Sequence, residues 1–367
     1  MVKKVFATFI LLLFSISGAY AQVGITSVPF LQIEPDSRAA GMGNTGVAIA
    51  DNASAVFWNP AGLGFQRGNQ ISITHSEWLP QFNADLFYDY LVGKYHLENI
   101  GTIGGHITFL NLGEQVRTNE TGNTINKFNS YELAVGLSYG FQINQNWSLG
   151  TGARFIYSSL AEGKSGGQKI NPGSSVGIDI AGMYQSDTFN FLSRDASMKA
   201  GLNISNIGPK MKYTDNGQKD PLPTMMRLGW SFTTNLDEEG INTLTIANDI
   251  SKIMARADTT GSSDGFLTPL FTSWDSYQRK TGNGPETLSL AEQLMIASGI
   301  EYWYNDLFAL RSGFYYEDPN NGDRQFMTLG AGLRYKFFGI DFSYIYTIGD
   351  KNHPLANTTR FGLLLNF

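Results

Sequence analysis

Gly41-Met42-Gly43-Asn44-Thr45-Gly46 carries the G-x-G-x-x-G spacing that lets a backbone close around a pyrophosphate. That chemistry needs an apolar strand before the motif, a helix after it and an acid about 20 residues on. Here Glu34-Pro35-Asp36-Ser37-Arg38 precedes the motif, Asp51 comes too early, and residues 61–69 hold no acid. The glycines therefore read as tight turns and close backbone approaches, and no cofactor is assigned. His75, His96, His106 and His353 are far apart and fit no H-E-x-x-H or comparable spacing, so no metal site is assigned. The chain has no cysteine, which excludes a thiol nucleophile, a zinc ribbon, a disulfide scaffold and a lipid anchor on Cys. It has no G-x-S-x-G elbow and no P-loop. Asp237-Glu238-Glu239, and Asp318 with Asp323, fall in connecting segments rather than a cleft. The chain reads as a non-enzyme.

Two groups of residues remain as candidates for binding. Glu132, Arg154, Asp179, Arg227, Asp249, Arg311, Arg334 and Asp341 lie inside segments of alternating polarity. Facing lipid, an Arg or Lys costs about 2–4 kcal/mol at the midplane. These residues are expected to face a lumen and to pair with one another or with Asp36 and Arg38. The second group is Phe266, Leu267, Phe271, Trp274 and Tyr277, inside the polar, Gly/Ser/Thr-rich stretch 251–293. A link longer than about 15 residues is usually functional or disordered. Aromatics at this density make the stretch a candidate partner-docking loop, and Pro285 to Met295 is expected to include a short helix.

The elements that position these residues follow from a period of two. Tyr131, Leu133, Val135, Leu137, Tyr139 and Phe141 alternate with Ser130, Glu132, Ala134, Gly136, Ser138 and Gly140. Leu329, Ala331, Leu333, Tyr335 and Phe337 alternate with Thr328, Gly330, Gly332, Arg334 and Lys336. Segments of about ten residues with aromatics at their ends suit strands tilted across a bilayer between two aromatic girdles. The pattern predicts about fourteen strands, at 70–78, 84–93, 100–110, 130–141, 147–157, 175–186, 196–205, 224–234, 241–250, 294–303, 306–315, 326–336, 338–347 and 358–367. Links after even strands are short. Links after odd strands are long, at 111–129, 158–174, 206–223 and 251–293, with the one near Leu79-Pro80 short. A soluble sandwich has no reason to sort loops by parity. A membrane barrel does, because its turns on the two sides of the membrane differ in length.

Composition agrees. The 367 residues include 41 glycines, 13% aromatics and only 16% charged residues, against roughly 25% charged in ordinary soluble domains. Lys3 and Lys4, the apolar run Val5 to Ile16 and Ala19-Tyr20-Ala21 read as a signal peptide over residues 1–21. Its removal leaves 24 basic against 32 acidic residues, a poor match to nucleic acid, whose binders carry basic patches. Beyond it no run of about 18 apolar residues occurs, so no helical span is expected. A closed barrel satisfies its backbone in lipid without one. The last strand places Phe361, Leu363, Leu365 and Phe367 on one face, like the C-terminal signature of bacterial outer-membrane barrels. Residues 22–69 fit no strand and have too little apolar surface for a core of their own. A fourteen-strand barrel is too wide for its own side chains to fill, so this segment is expected to plug it.

Phe30-Leu31-Gln32-Ile33-Glu34-Pro35-Asp36-Ser37-Arg38-Ala39-Ala40-Gly41-Met42-Gly43, with Phe57-Trp58-Asn59-Pro60-Ala61-Gly62-Leu63, resembles the N-terminus of the PorV/PorQ family, within the FadL-like outer-membrane barrels. The resemblance is carried by Pro35, Asp36, Arg38, Gly41, Met42 and Gly43, and less specifically by Asn59, Pro60, Ala61 and Gly62. It implies an all-β, antiparallel barrel of fourteen strands with an N-terminal hatch, in the outer membrane and in contact with its lipid or lipopolysaccharide. It implies a role in type IX protein secretion, with a translocon barrel protein and the C-terminal domains of exported cargo as partners. The alternative is a FadL-like transporter of hydrophobic small molecules, to which Phe30, Leu31, Met42, Phe57 and Trp58 would contribute.

Overall fold

The computed structural model describes residues 26–82, 85–119, 121–165, 168–214, 219–254, 265–281, 284–348 and 353–367. The signal-peptide reading of residues 1–21 lies outside them. Fourteen strands pair with their sequence neighbours, and the last pairs with the first, so the sheet closes into a barrel. They are β1 Gln70–Glu77, β2 Phe87–Leu97, β3 Gly101–Thr118, β4 Thr124–Gln142, β5 Trp147–Ser159, β6 Gly173–Gln185 and β7 Arg194–Ile207. The second half is β8 Met225–Asn235, β9 Asn242–Ile253, β10 Met295–Tyr304, β11 Phe308–Tyr316, β12 Gln325–Tyr335, β13 Phe338–Thr347 and β14 Thr359–Asn366. A short segment, Phe189–Phe191, pairs only with β7. Beside the seam, the Asn69 and Phe367 amides and carbonyls exchange hydrogen bonds of 3.1 and 3.0 Å.

Register shows why the apolar set faces out. Ile73, Leu91, Ile107, Val135, Phe155 and Val176 form one row across β1 to β6, each paired with the next. All six are exposed, while their chain neighbours Thr74, Tyr90, His106, Ala134, Arg154 and Ser175 are buried. A cylinder that is apolar outside and polar within is stable only with hydrocarbon around it. Phe87, Phe109, Tyr131 and Tyr157 form a ladder of ring contacts 5.8–6.1 Å apart near one rim. Tyr95, Trp147, Tyr304, Tyr335 and Phe337 are exposed near the other. Links at that second rim are short (98–100, 143–146, 186–193, 236–241, 305–307 and 336–337). The opposite rim carries 160–172, 208–224 and 254–294.

One expectation changes and one narrows. The stretch 111–129 is mostly strand, because β3 and β4 continue to Thr118 and from Thr124, past a register shift between Asn111 and Glu114. In this part of the ladder Leu112, Val116, Ile125 and Phe128 stand scattered among polar residues, so no run of period-two hydrophobicity marks it. The short helix expected within Pro285 to Met295 is the 3-10 turn Ala291–Gln293, while Gly284–Leu288 pairs with Tyr277–Thr281 as a hairpin. Among the described residues that link also holds the short helix Pro269–Thr272.

Placing an arginine in the outward row tests the lipid-facing assignment. Val135→Arg should destabilise the barrel refolded in lipid vesicles by about 2–4 kcal/mol, and Val135→Leu should be near neutral, both read by denaturant titration. Equal behaviour of the two variants would place this face away from hydrocarbon.

Candidate functional site

Residues 26–69 are where barrel and sequence motif meet. Pro29 opens a 3-10 turn, Pro29–Gln32. Asp36 caps helix α1, Ser37–Ala40, by accepting the Ala39 N–H at 2.6 Å, the usual service of an Asp at this position. Asn59 ends helix α2, Ala55–Trp58, and its side chain accepts the Ala61 N–H at 3.1 Å to start the turn Pro60–Phe65. Phe30, Leu31, Met42, Phe57 and Trp58 are all buried. The motif residues Pro35, Asp36, Gly41, Met42, Gly43, Asn59, Pro60, Ala61 and Gly62 are buried too.

The segment touches the wall on nearly every side, and the wall meets it with glycine. A Cβ at Gly313 or Gly299 would overlap the backbone of Met42 and Gly43, and one at Gly140 or Gly150 would overlap Pro60. Gly104 faces Val56, and Gly201 and Gly229 face Val47. A Cβ on Gly41 would stand 3.0 Å from the Gly330 Cα. Gly43 also has φ 69°, a conformation open to glycine. Gly41 and Gly43 therefore serve backbone-to-backbone contact with the wall, while Gly46 lies against the Trp58 ring of the segment itself. Polar contacts complete the seat. The Gly46 and Val47 amides donate to Asp249 at 2.7 and 3.0 Å, and the Gly43 amide donates to Thr328 Oγ1 at 2.8 Å. Asn203 Nδ2 donates to the Trp58 carbonyl at 2.9 Å, and Ser148 Oγ to the Ala61 carbonyl at 2.7 Å.

A chain of alternating charges bolts the segment to the wall. Arg38 donates to both Glu301 oxygens, at 2.8 and 2.7 Å, and pairs with Asp51. Glu301 also accepts from Arg311 Nε at 2.6 Å, Arg311 reaches Asp341 at 2.8 Å, and Asp341 accepts from Arg334 at 2.6 Å. Gly332 makes the crossing possible, since a Cβ there would stand 2.8 Å from the Arg311 guanidinium and from Asp341. Within the segment, burial pushes the Asp51 carboxyl up, but Arg38 and Lys199 outweigh it and hold it below the ordinary carboxylate range.

All eight strand charges named from sequence face inward, and seven of them are buried, Arg334 partly so. Arg154 pairs with Asp179, Arg227 stacks on Phe57 and Trp58 at 5.2 and 5.7 Å, and Glu132 accepts from Ser158 at 2.7 Å. Arg38 makes ion pairs, but with Glu301 and Asp51 and not with any of the eight. Asp36 makes no ion pair among the described residues, and instead accepts from the Trp58 indole at 3.2 Å besides capping α1. Burial pushes its carboxyl above the usual range. Glu301, the hub of the charge chain, was not singled out from sequence. Its neighbours Gly299 and Ile300 carry no charge, and only pairing with Arg311 across β10 and β11 reveals it.

On the long-link rim, Phe266, Leu267, Phe271 and Trp274 are exposed. They surround the turn Pro269–Thr272, which is held by the buried Pro269, by Ser273 Oγ donating to the Pro269 carbonyl at 2.5 Å, and by Trp274 Nε1 donating to the Leu270 carbonyl at 2.8 Å. Tyr277 opens the hairpin at 277–288; its side chain lies outside the described residues.

A closed antiparallel barrel with a lipid-facing apolar band, girdles at both rims and a filled polar interior defines an outer-membrane β-barrel protein. The family profile of "Type IX secretion system protein PorV" matches residues 18–259, more than half of the chain. The chain belongs to the PorV family, an outer-membrane component of type IX secretion. Among solved structures it is similar to the Pseudomonas putida toluene transporter TodX, with TM-score 0.49, 11% identity, and 90% of this chain and 97% of that chain covered. The Ralstonia pickettii toluene transporter TbuX gives 0.47, 11%, 90% and 98%, and a Pseudomonas aeruginosa FadL homologue 0.38, 12%, 95% and 99%. No curated protein sequence matches the chain.

Removing the hub tests the bolt. Glu301→Ala leaves Arg311 with Asp341 alone and Arg38 with Asp51 alone, and should cost up to about 3–5 kcal/mol in denaturant unfolding. Adding Arg38→Met should recover part of that loss. Gly313→Val should expose segment 27–66 to added protease while the barrel keeps its heat-shifted electrophoretic mobility.

Proposed function

We propose that this chain is a non-enzymatic docking component of type IX secretion. The barrel holds it in the outer membrane. Residues 22–69 act as a hatch that closes the lumen. The loop 251–293 meets the translocon barrel protein or the C-terminal domain of exported cargo at the cell surface. The observation that carries this reading is the cluster Phe266, Leu267, Phe271 and Trp274, left exposed on an ordered turn at the long-loop rim, with Phe271 70% exposed. Periplasmic turns of such barrels are short and extracellular loops long, so this rim points outward. An exposed apolar cluster rimmed by polar residues marks an interaction surface, and aromatic anchors carry most of the energy of such contacts.

The FadL-like alternative, transport of hydrophobic small molecules, needs apolar space between hatch and wall. Phe30, Leu31, Phe57 and Trp58 instead pack against Tyr88, Tyr90, Val92, Leu110, Ala134 and Ile156 in one cluster. That packing favours docking.

Deleting 255–290 should abolish surface display of cargo while the barrel still assembles and shows heat-shifted mobility. Phe271→Ala and Trp274→Ala should each weaken capture of the partner by about tenfold or more. Undiminished display in the deletion strain would remove the loop from the mechanism.

A further inference from the structure

The charge chain that anchors Arg38 is electrically incomplete, and its surplus gathers in one place. Lys199 Nζ lies 3.5 Å from Asp51 Oδ2 and extends the chain by one cation. Lys94 is buried beside it and gives its ammonium to the carbonyls of Arg67 at 2.8 Å and Gly68 at 3.1 Å. No carboxylate lies within ion-pair distance of Lys94 among the described residues. Lys94, Lys199, Arg38, Arg311 and Arg334 thus set five positive charges against the three of Asp51, Glu301 and Asp341, an excess of two. Arg38, Arg311 and Arg334 are each matched within the chain. Lys199 shares the single carboxylate of Asp51 with Arg38, and Lys94 has none among the described residues.

Both line the same cavity. It measures about 210 Å³ and opens between Ala50, Asp51 and Gln66 of the inner segment and Lys94, Gln185 and Lys199 of β2, β6 and β7. It lies at the short-turn rim, since Lys94, Gln185 and Lys199 all stand near the ends of their strands joined by short links. Asp51 also faces this space, but Arg38 and Lys199 occupy its two oxygens. Arg67, Lys94 and Lys199 line the cavity against the one carboxylate of Asp51, which Arg38 also engages, and this leaves an excess of positive charge in a partly desolvated place, where it acts more strongly than in water. The mature chain is acidic overall, so this field is local to the cavity.

We propose that this cavity is a binding site for a small oxyanion, a phosphate or carboxylate group, held between Lys94 and Lys199 at the periplasmic mouth of the barrel. The lysine ammonium is a point-charge donor suited to such groups. The volume admits either anion, and the position makes the site reachable from the periplasm without moving the inner segment.

The test uses the full mature chain in zwitterionic detergent, titrated calorimetrically with inorganic phosphate and, separately, with sodium acetate at low ionic strength. Saturable binding of one or both is expected, and the two arms tell phosphate from carboxylate. Lys199→Gln, at a half-exposed position that the fold tolerates, should weaken binding at least tenfold. Asp51→Asn should tighten it several-fold by removing the carboxylate that faces the anion, an effect opposite to that of a variant that merely loosens the seat. Lys94→Gln should weaken binding like Lys199→Gln if its mobility shift on heating is retained. Failure of both anions to saturate the wild-type protein, or affinities that Lys199→Gln and Asp51→Asn leave unchanged, would overturn the proposal.

Discussion

A cylinder of fourteen strands in hydrocarbon encloses more space than its own inward side chains fill, and the rest of the molecule answers that surplus. The bilayer demands closure, because each unpaired backbone group costs several kcal/mol there. Closure at this strand number creates the void. Residues of the segment 26–69 lie against this wall at many strands. Glycines such as Gly140, Gly150, Gly299, Gly313 and Gly330 clear room for a second backbone to lie against the first. Much of the high glycine content has its explanation in this contact between two main chains.

Backbone contact supplies dispersion and shape, but its amides need partners. Asp249, Thr328, Asn203 and Ser148 provide them from the wall. The charge chain from Arg38 through Glu301 and Arg311 to Asp341 and Arg334 adds direction. A buried ion chain is weak evidence of net stability, since desolvation offsets much of its attraction. Its contribution is specificity. Arg38 and Arg311 meet on Glu301, so the network ties the segment to one place on β10 and β11.

The wall was legible because lipid imposes the plainest pattern a strand can carry. Strand number, inward charges and the parity of link lengths all follow from alternating polarity. Where both faces of a strand are wet, as in the outer parts of β3 and β4, the pattern vanishes and strand reads as loop. The seat was legible only by half. Pro35, Asp36, Arg38 and the glycines stood out as a motif, but a motif states what the segment presents and not what receives it. Glu301, Gly299 and Gly313 sit on strands about 260 residues downstream, and only barrel closure brings them to Arg38 and Gly43. Lys94 and Lys199 were hidden for the same reason, as ordinary lysines until the cylinder sets them around one cavity.

With hydrocarbon outside and a seated main chain inside, free side chains remain only at the two rims, and the rims differ in chemistry. The long-loop rim presents Phe271 and Trp274 on a turn stiffened by Pro269 and its hydrogen bonds, a surface that gains by losing water. The short-turn rim presents a cavity lined by more cations than carboxylates, a surface that gains by meeting negative charge. Recognition through the wall would need side chains that the bilayer penalises, and recognition through the lumen would need to unseat contacts on nearly every strand. A barrel built in this way holds two chemically distinct faces on opposite sides of one membrane, and the proposed docking role draws on the apolar one.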